Sequence, residues 1–172
     1  MLTIESLDVA ALARDRDGLA RLLRSCVDAG GSLGYLSPMP EEEAVGFWKS
    51  VEPQVASGQR IVVIARDGER IVGTAQLALE TKPNGRHRAE VLTVMVAPDE
   101  RRRGIAADLM SAIERCARER SRALLILDTA EGPSGARAFY ESLGYTYAGG
   151  IPDYALDPDG RPAKNAIYFK RI

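Results

Sequence analysis

Apolar and polar positions follow two different periods along this chain. Between residues 9 and 27 apolar side chains recur every three or four positions, which is typical of one face of an amphipathic helix. Asp8 can cap the start of this helix, and Gly30 follows its end. A second helix is predicted from Pro40 to about Gly58, because proline suits the first turn of a helix. The amino-terminal third of the chain is therefore predicted to be mainly helical.

The remainder alternates between strand and helix patterns. Apolar runs over 60–64 and 71–79 predict two strands, and Asp67-Gly68 between them is a hairpin signal. Further strands are predicted over 90–96, 123–127, 145–148 and 166–170, with helices from about Gly104 to Arg120 and over 135–143. This order predicts a mixed α/β fold in which helices cover one sheet, and a single domain spanning 1–172.

Composition excludes several classes of protein. The 172 residues hold 23 Lys and Arg against 24 Asp and Glu, a balance that does not favour nucleic acid as a partner. No apolar run approaches the roughly 20 residues of a membrane span, so no membrane partner is expected. The amino terminus has no basic region followed by an apolar stretch, and two cysteines form no disulfide framework, so we expect a cytoplasmic protein. His87 is the only histidine, so no metal is expected and a Ser-His-Asp triad would depend on it alone.

The most informative segment is the turn between the strand over 90–96 and the next helix. It contains Arg101–Arg103, and Gly104 opens the helix. Free N–H groups and the positive end of the dipole make a helix N-terminus an anion site, and glycine allows phosphate to approach the backbone. Three arginines in a loop can equally be a solvated surface. The position of the turn favours phosphate binding.

This turn resembles the cofactor loop of the GNAT superfamily of N-acetyltransferases, Gln/Arg-x-x-Gly-x-Gly/Ala, through Arg101, Gly104 and Ala106. The segment Ala136–Tyr145 is similar to a second signature of that superfamily, Ala-x-x-x-Tyr-x-x-x-Gly-Phe/Tyr. The resemblance implies a mixed six- to seven-stranded sheet flanked by helices, with acetyl-CoA as acetyl donor. It covers at least residues 60–172.

The resemblance also implies where acetyl-CoA binds. Its pyrophosphate would lie on amides of the turn, and its pantetheine arm would pair with the exposed backbone of the preceding strand. Pro133 stands where the superfamily often has an asparagine, and Ser134 is a candidate to supply that polar contact. The implied cofactor-binding residues are Val94, Met95, Val96, Arg101, Arg102, Arg103, Gly104, Ile105, Ala106, Ala107 and Ser134.

Within the superfamily the chain is similar to the tabtoxin-resistance acetyltransferases, which acetylate the amine of a β-lactam amino-acid toxin. The matching segments are Lys82–Gly85, Arg88–Val91, Leu127–Thr129, Asp157–Arg161 and Ala166–Lys170. This narrower resemblance covers essentially the full length, and it suggests toxin or antibiotic resistance as a role.

Three residues are candidates for catalysis. An attacking amine with a pKa of about 10.4 must lose a proton, and a carboxylate can accept it. The resemblance favours both Glu90 and Asp128, although Glu90 could instead pair with Arg88 and Asp128 could cap a loop. Tyr140 is implied as the proton donor to the departing thiol, and its alternative role is packing in the core.

Substrate residues are predicted from two loops, over 30–40 and 151–165, and from the segment after the second strand. The candidates are Tyr35, Trp48, Asn84, Arg88, Tyr154 and Arg161, of which an arginine could bind a carboxylate. We expect acetylation of a small amine, either an amino acid or an amino-acid-like toxin or antibiotic. Acetylation of a protein N-terminus or lysine, and a non-catalytic CoA sensor, are the alternatives. A homodimer is compatible with the sequence.

Overall fold

The computed structural model describes residues 1–131, 136–157 and 159–172. Strand β1 (Leu2–Leu7) is followed by helices α1 (Val9–Asp28) and α2 (Glu41–Ala56), and then by strands β2 (Arg60–Asp67), β3 (Arg70–Leu79) and β4 (Arg88–Val96). Helix α3 (Ile105–Glu119), strand β5 (Leu124–Ala130), helix α4 (Ala136–Ser142) and strand β6 (Thr146–Gly149) come next. The chain ends with the short strands β7 (Ala155–Leu156) and β8 (Pro162–Ala163) and with β9 (Asn165–Arg171).

The predicted mixed α/β architecture is confirmed. Seven strands form one sheet in the order β1-β2-β3-β4-β5-β9-β6. Strand β4 pairs in parallel with β5, whereas the other neighbouring pairs are antiparallel. The pattern did not predict β1 as a strand or the β7–β8 hairpin within the loop over 151–165, and it placed most other boundaries within a few residues.

Local sequence explains the main helix ends. The Asp8 carboxylate accepts a hydrogen bond of 2.8 Å from the Ala11 N–H and caps α1 as predicted. Helix α2 starts directly after Pro40, with three glutamates in its first turn. Gly104 has a φ of 80° and precedes α3, a left-handed conformation that glycine adopts without a steric penalty.

Two apolar clusters cover the two faces of the sheet. Helices α1 and α2 pack with Val62, Ile64 and Met95 on one face, which we call the α1–α2 face. Helix α3 and Tyr140 of α4 pack with Leu125, Leu127 and other residues on the opposite face, which we call the α3–α4 face. Side chains alternate between faces along a strand, so these clusters fix the direction of the polar side chains between them.

Candidate active site

The sheet opens between β4 and β5. These parallel strands pair only through Arg88–Leu124, Ala89–Leu125 and Glu90–Ile126. Beyond Glu90, β4 continues for six residues and β5 continues to Ala130 without pairing to each other. The strands therefore diverge, and β4 presents a backbone edge toward the gap. Val94, Met95 and Val96, predicted to bind pantetheine, lie on this part of β4.

A bulge shapes β4 inside the gap. Leu92 pairs with Gln76 and Met95 pairs with Thr74, so Thr93 and Val94 together stand opposite Ala75. Thr93 has a φ of 52°, which is unfavourable for a β-branched residue. Met95 consequently points into the α1–α2 cluster, while Val94 and Val96 pack against the other cluster. Sequence reasoning did not predict this bulge.

The predicted phosphate turn connects β4 to α3. Gly104 accepts from the N–H groups of Ala107 and Asp108 at 2.9 and 3.1 Å, which closes the first helical turn. In the described part of the chain, the six N–H groups from Arg101 to Ala106 have no hydrogen-bond acceptor. Ile105 is buried at the start of α3, so only its backbone is available to a ligand. Consecutive free amides at a helix N-terminus form a concave site for an anion.

The side chains of the turn differ in their partners. Arg103 pairs with Glu100, which also lies 3.4 Å from Arg70. Arg101 and Arg102 are exposed, and neither pairs with a carboxylate of the described residues. Ala106 and Ala107 are half-buried on α3. Ser134, the remaining predicted cofactor residue, lies outside the described residues.

Glu90 and Asp128 occupy the same face of the sheet. Ala89 and Val91 belong to the α3–α4 cluster, as do Leu125 and Leu127, so the alternating carboxylates point to the α1–α2 face. Loss of hydration raises the pKa of Glu90, and the nearby Asp128 carboxylate raises this pKa further. The two carboxylates are thus close enough to interact, which the sequence did not establish.

Asn165 holds Asp128 in place, a role that the sequence did not reveal. Its amide nitrogen donates to Oδ2 of Asp128 at 3.3 Å, and its side-chain oxygen accepts from the Ile151 N–H at 2.8 Å. Asn165 is 4% exposed and lies 37 positions from Asp128 in sequence, brought near it by the pairing of β5 with β9. In the sequence, Asn165 stands at the end of the loop over 151–165 that was predicted to supply substrate residues, and neither its burial nor its contact with Asp128 is visible there.

Tyr140 lies on the opposite side of the gap. Its ring packs against Tyr168 and Tyr145 with centroids 5.8 and 5.9 Å apart. Tyr168 pairs with Leu127, so Tyr140 lies beside the part of β5 that has separated from β4. Burial raises the pKa of Tyr140 to about 12, with a further contribution from the Asp128 carboxylate. The phenol therefore stays protonated at neutral pH and remains a hydrogen-bond donor.

The predicted substrate residues have different surroundings. Arg88 lines a cleft of about 310 Å³ together with Glu80, Glu90 and Ile126. It donates to Glu80 at 2.8 Å, so the expected alternative pairing of Arg88 with Glu90 is wrong. Tyr35 packs edge-on against Phe47 of α2. Trp48 is fully buried, and its assignment as a substrate wall is wrong because it belongs to the core.

The other three substrate candidates are exposed. Asn84 lies in a single turn of 3₁₀ helix over Pro83–Gly85. Tyr154 is 53% exposed before the β7–β8 hairpin. Arg161 pairs with Asp159 and lies 3.6 Å from Asp157 within that hairpin. Its charge is already compensated by two aspartates, which does not favour it as a carboxylate binder.

Comparison with known proteins matches the model of the acetyltransferase (GNAT) family to residues 17–145. The chain belongs to this family. An uncharacterized N-acetyltransferase from the hisH-hisA intergenic region of Azospirillum brasilense is 32% identical over 132 residues, which are 76% of each protein. The chain is accordingly an N-acetyltransferase of the GNAT family, which uses acetyl-CoA as acetyl donor.

Solved structures agree on the fold. A ribosomal-protein-alanine N-acetyltransferase from Brucella melitensis has a TM-score of 0.80 at 22% identity, covering 99% of both chains. The yncA protein from Salmonella typhimurium, solved with its cofactor acetyl-CoA, has a TM-score of 0.77 at 16% identity, covering 99% of this chain and 93% of its own. Within the described ranges of the present GNAT chain, no helix has the length and apolar character needed to cross a membrane. The same ranges contain no group of three or more His, Cys, Asp or Glu side chains arranged to hold a metal ion.

Proposed function

We propose that this enzyme acetylates the primary amine of a small molecule, an amino acid or an amino-acid-like toxin or antibiotic, by direct attack in a ternary complex. The observation that carries the proposal is the gap between β4 and β5, which has Glu90 and Asp128 on one side and Tyr140 on the other. The groups proposed to remove a proton from the amine and to donate a proton to the departing thiolate thus border one opening.

The free amides from Arg101 to Ala106 are suited to the diphosphate of acetyl-CoA. These six donors at a helix N-terminus have no acceptor among the described residues, and a diphosphate offers several charged oxygens. Arg101 and Arg102 add positive charge beside them. The unpaired edge at Val94–Val96 is suited to the amide groups of the pantetheine arm. Acetyl-CoA supplies a thioester whose carbonyl carbon an amine can attack.

Glu90 and Asp128 are proposed as proton acceptors. An amine with a pKa of about 10.4 is almost entirely protonated at neutral pH, so removal of its proton precedes attack. The raised pKa of Glu90 brings the proton affinity of this carboxylate closer to that of the amine. Asn165 orients Asp128 toward the same face. A β4 amide near Val96, on the edge that is not paired with β5, is proposed to stabilise the oxyanion.

Tyr140 is proposed as the donor to the departing sulfur. A thiolate leaving group with a conjugate pKa of about 8.5 gains from a nearby hydrogen-bond donor. The Tyr140 hydroxyl is protonated, and it lies on the face opposite to the carboxylates. Proton removal and proton donation are therefore assigned to groups on different faces of the sheet.

The cleft beside Glu90 is compatible with a small substrate, although Asp128 and Tyr140 are not among its lining residues. A volume of about 310 Å³ is at the lower end of ordinary ligand pockets, which run from about 300 to 1,000 Å³. The resemblance to tabtoxin-resistance acetyltransferases supports an amino-acid-like toxin as one member of this class. A protein N-terminus is the second candidate, because the structure of the ribosomal-protein-alanine N-acetyltransferase has the same fold.

A thiol-release assay tests the proposal. Acetyl-CoA is offered with amino acids, dipeptides, β-lactam amino acids, aminoglycosides and peptides with free N-termini. Release of CoA with a small amine, and with no peptide, supports the proposal. Turnover of peptides alone supports the second candidate. Binding of acetyl-CoA by calorimetry without turnover of any amine would identify a sensor and overturn the catalytic assignment.

A further inference from the structure

The α1–α2 face carries Arg60, which forms no ion pair with a carboxylate of the described residues. Arg60 begins β2 and is half-buried. No carboxylate of the described residues is within ion-pairing distance of its guanidinium, in contrast to Arg66 of the same strand, which lies 2.7 Å from Asp15 and 2.9 Å from Glu5. Burial lowers the pKa of Arg60, and the Glu90 carboxylate, which lies beyond ion-pairing distance, partly opposes this shift. A partly desolvated guanidinium is the kind of group that binds an incoming carboxylate.

Strand register places Arg60 in one row with Glu90. Arg60 pairs with Ala78 across β2 and β3, and Ala78 pairs with Glu90 across β3 and β4. Directly opposed residues point to the same face, and neighbouring strands are about 4.8 Å apart, so their Cα atoms are separated by about 10 Å. The small side chain of Ala78 lies between them, and it lines the cleft that contains Glu90.

Gln76 is a neutral residue that contacts Arg60 from β3, where it pairs with Val62 and Leu92. The Arg60 Nη1 donates to Oε1 of Gln76 at 2.9 Å, which orients the guanidinium over β3. Gln76 is completely buried, and its side-chain nitrogen has no acceptor within the described residues. The Nε of Arg60 is likewise buried without an acceptor there. Unsatisfied buried donors are costly, and Ala78, which pairs with Arg60, lines the cleft, so we expect an acceptor group to approach Arg60 from the cleft.

We propose that Arg60, oriented by Gln76, binds the carboxylate of an amino-acid substrate whose amine lies at Glu90. A positive group and a negative group face each other across Ala78, and a free amino acid carries the complementary pair of charges. This assignment rests on the proposed function, and it adds that the substrates share a carboxylate near the reacting amine. Arg60 replaces Arg161 as the predicted carboxylate-binding arginine, because Asp157 and Asp159 already compensate the charge of Arg161.

The experiment compares amines with and without a carboxylate. L-Phenylalanine, L-methionine and L-lysine are offered beside phenethylamine, 3-(methylthio)propylamine and cadaverine. We expect the wild-type kcat/KM to favour at least one amino acid over its partner by about 30-fold or more, since loss of one member of a buried charged pair costs about 2–5 kcal/mol. Arg60→Gln should remove this preference by raising KM for the amino acid, while the amine lacking a carboxylate reacts as before.

Control variants distinguish a failure of the Arg60 assignment from a failure of the proposed function. Arg86→Gln removes an exposed arginine of the adjacent segment and should leave the preference intact. Arg60→Lys keeps the positive charge but lacks the planar guanidinium group. This variant should therefore retain part of the preference for amino acids. Equal turnover of both members of every pair overturns the role of Arg60 but leaves the proposed function standing. Turnover of none of these small amines, and of none of the dipeptides, β-lactam amino acids and aminoglycosides of the wider panel, overturns both. Wild-type acetyl-CoA affinity of Arg60→Gln shows that the variant is folded.

Discussion

Gly104→Ala tests the phosphate turn most directly. A methyl group at this position meets no protein atom within 4 Å, so it would extend into open space in front of α3. The φ of 80° makes alanine unfavourable there by about 1–2 kcal/mol. If the diphosphate lies against these amides, the methyl group also displaces it. Loss of one charged hydrogen bond costs about 1.5–3 kcal/mol, which corresponds to about a 10- to 150-fold weaker Kd for acetyl-CoA.

Calorimetric titration with acetyl-CoA measures this effect, and urea unfolding measures stability. Gly68→Ala is the matched control, since Gly68 in the β2–β3 turn has a φ of 60° and equally open space. Both variants should lose similar stability, but only Gly104→Ala should lose affinity. Wild-type affinity in Gly104→Ala would refute diphosphate binding at this turn. An equal loss of affinity in both variants would show that backbone strain, and not ligand contact, is responsible.

Three further substitutions probe the reacting groups. Tyr140→Phe should lower kcat by about 100-fold without changing acetyl-CoA affinity. Tyr145→Phe removes a buried hydroxyl that has no partner among the described residues, and it should leave kcat unchanged. Equal rates for both variants would exclude the donor role of Tyr140. Glu90 must be ionised to accept a proton, so activity should fall with decreasing pH at a higher pH than for an ordinary glutamate, and Asp128→Asn, which removes one cause of the raised pKa of Glu90, should move this fall to lower pH in the pH–rate profile. An unmoved profile would contradict the coupling. Asn165→Ala should cost about 1–3 kcal/mol in urea unfolding and reduce kcat, because it leaves the Ile151 N–H without its acceptor and frees Asp128; an unchanged stability and rate would contradict this role.

The turn from Arg101 to Ala106 could be predicted because its determinants are local. A strand, a glycine with a left-handed backbone and an amphipathic helix are contiguous in the chain, and each leaves a pattern in the sequence. The same holds for the cap of α1 and for the hairpin at Asp67-Gly68. Glu90 and Asp128 were favoured as proton acceptors by the resemblance to the superfamily; the structure has both on one face of the sheet, and their catalytic role stays a prediction.

Arg60 and Asn165 could not be assigned in this way, because their roles depend on register between strands that are distant in the chain. Arg60 meets Glu90 only through the shared partner Ala78. The available signal was weak: Arg60 falls in the same alternation as Val62 and Ile64, which belong to the α1–α2 cluster. The β7–β8 hairpin was missed because strands of two residues leave no period to detect.

The opening between β4 and β5 decides where the chemistry can occur. Glu90 and Asp128 point to the α1–α2 face, whereas Tyr140 belongs to the α3–α4 face. An intact sheet would separate proton acceptor from proton donor by its full thickness. Because pairing ends after Glu90, both sets of groups reach a common space, and the Asp128 charge influences the pKa of Tyr140 across it. In the proposed mechanism the amine enters from the α1–α2 face and the thiolate departs toward Tyr140, so no group has to serve both steps and no histidine is required.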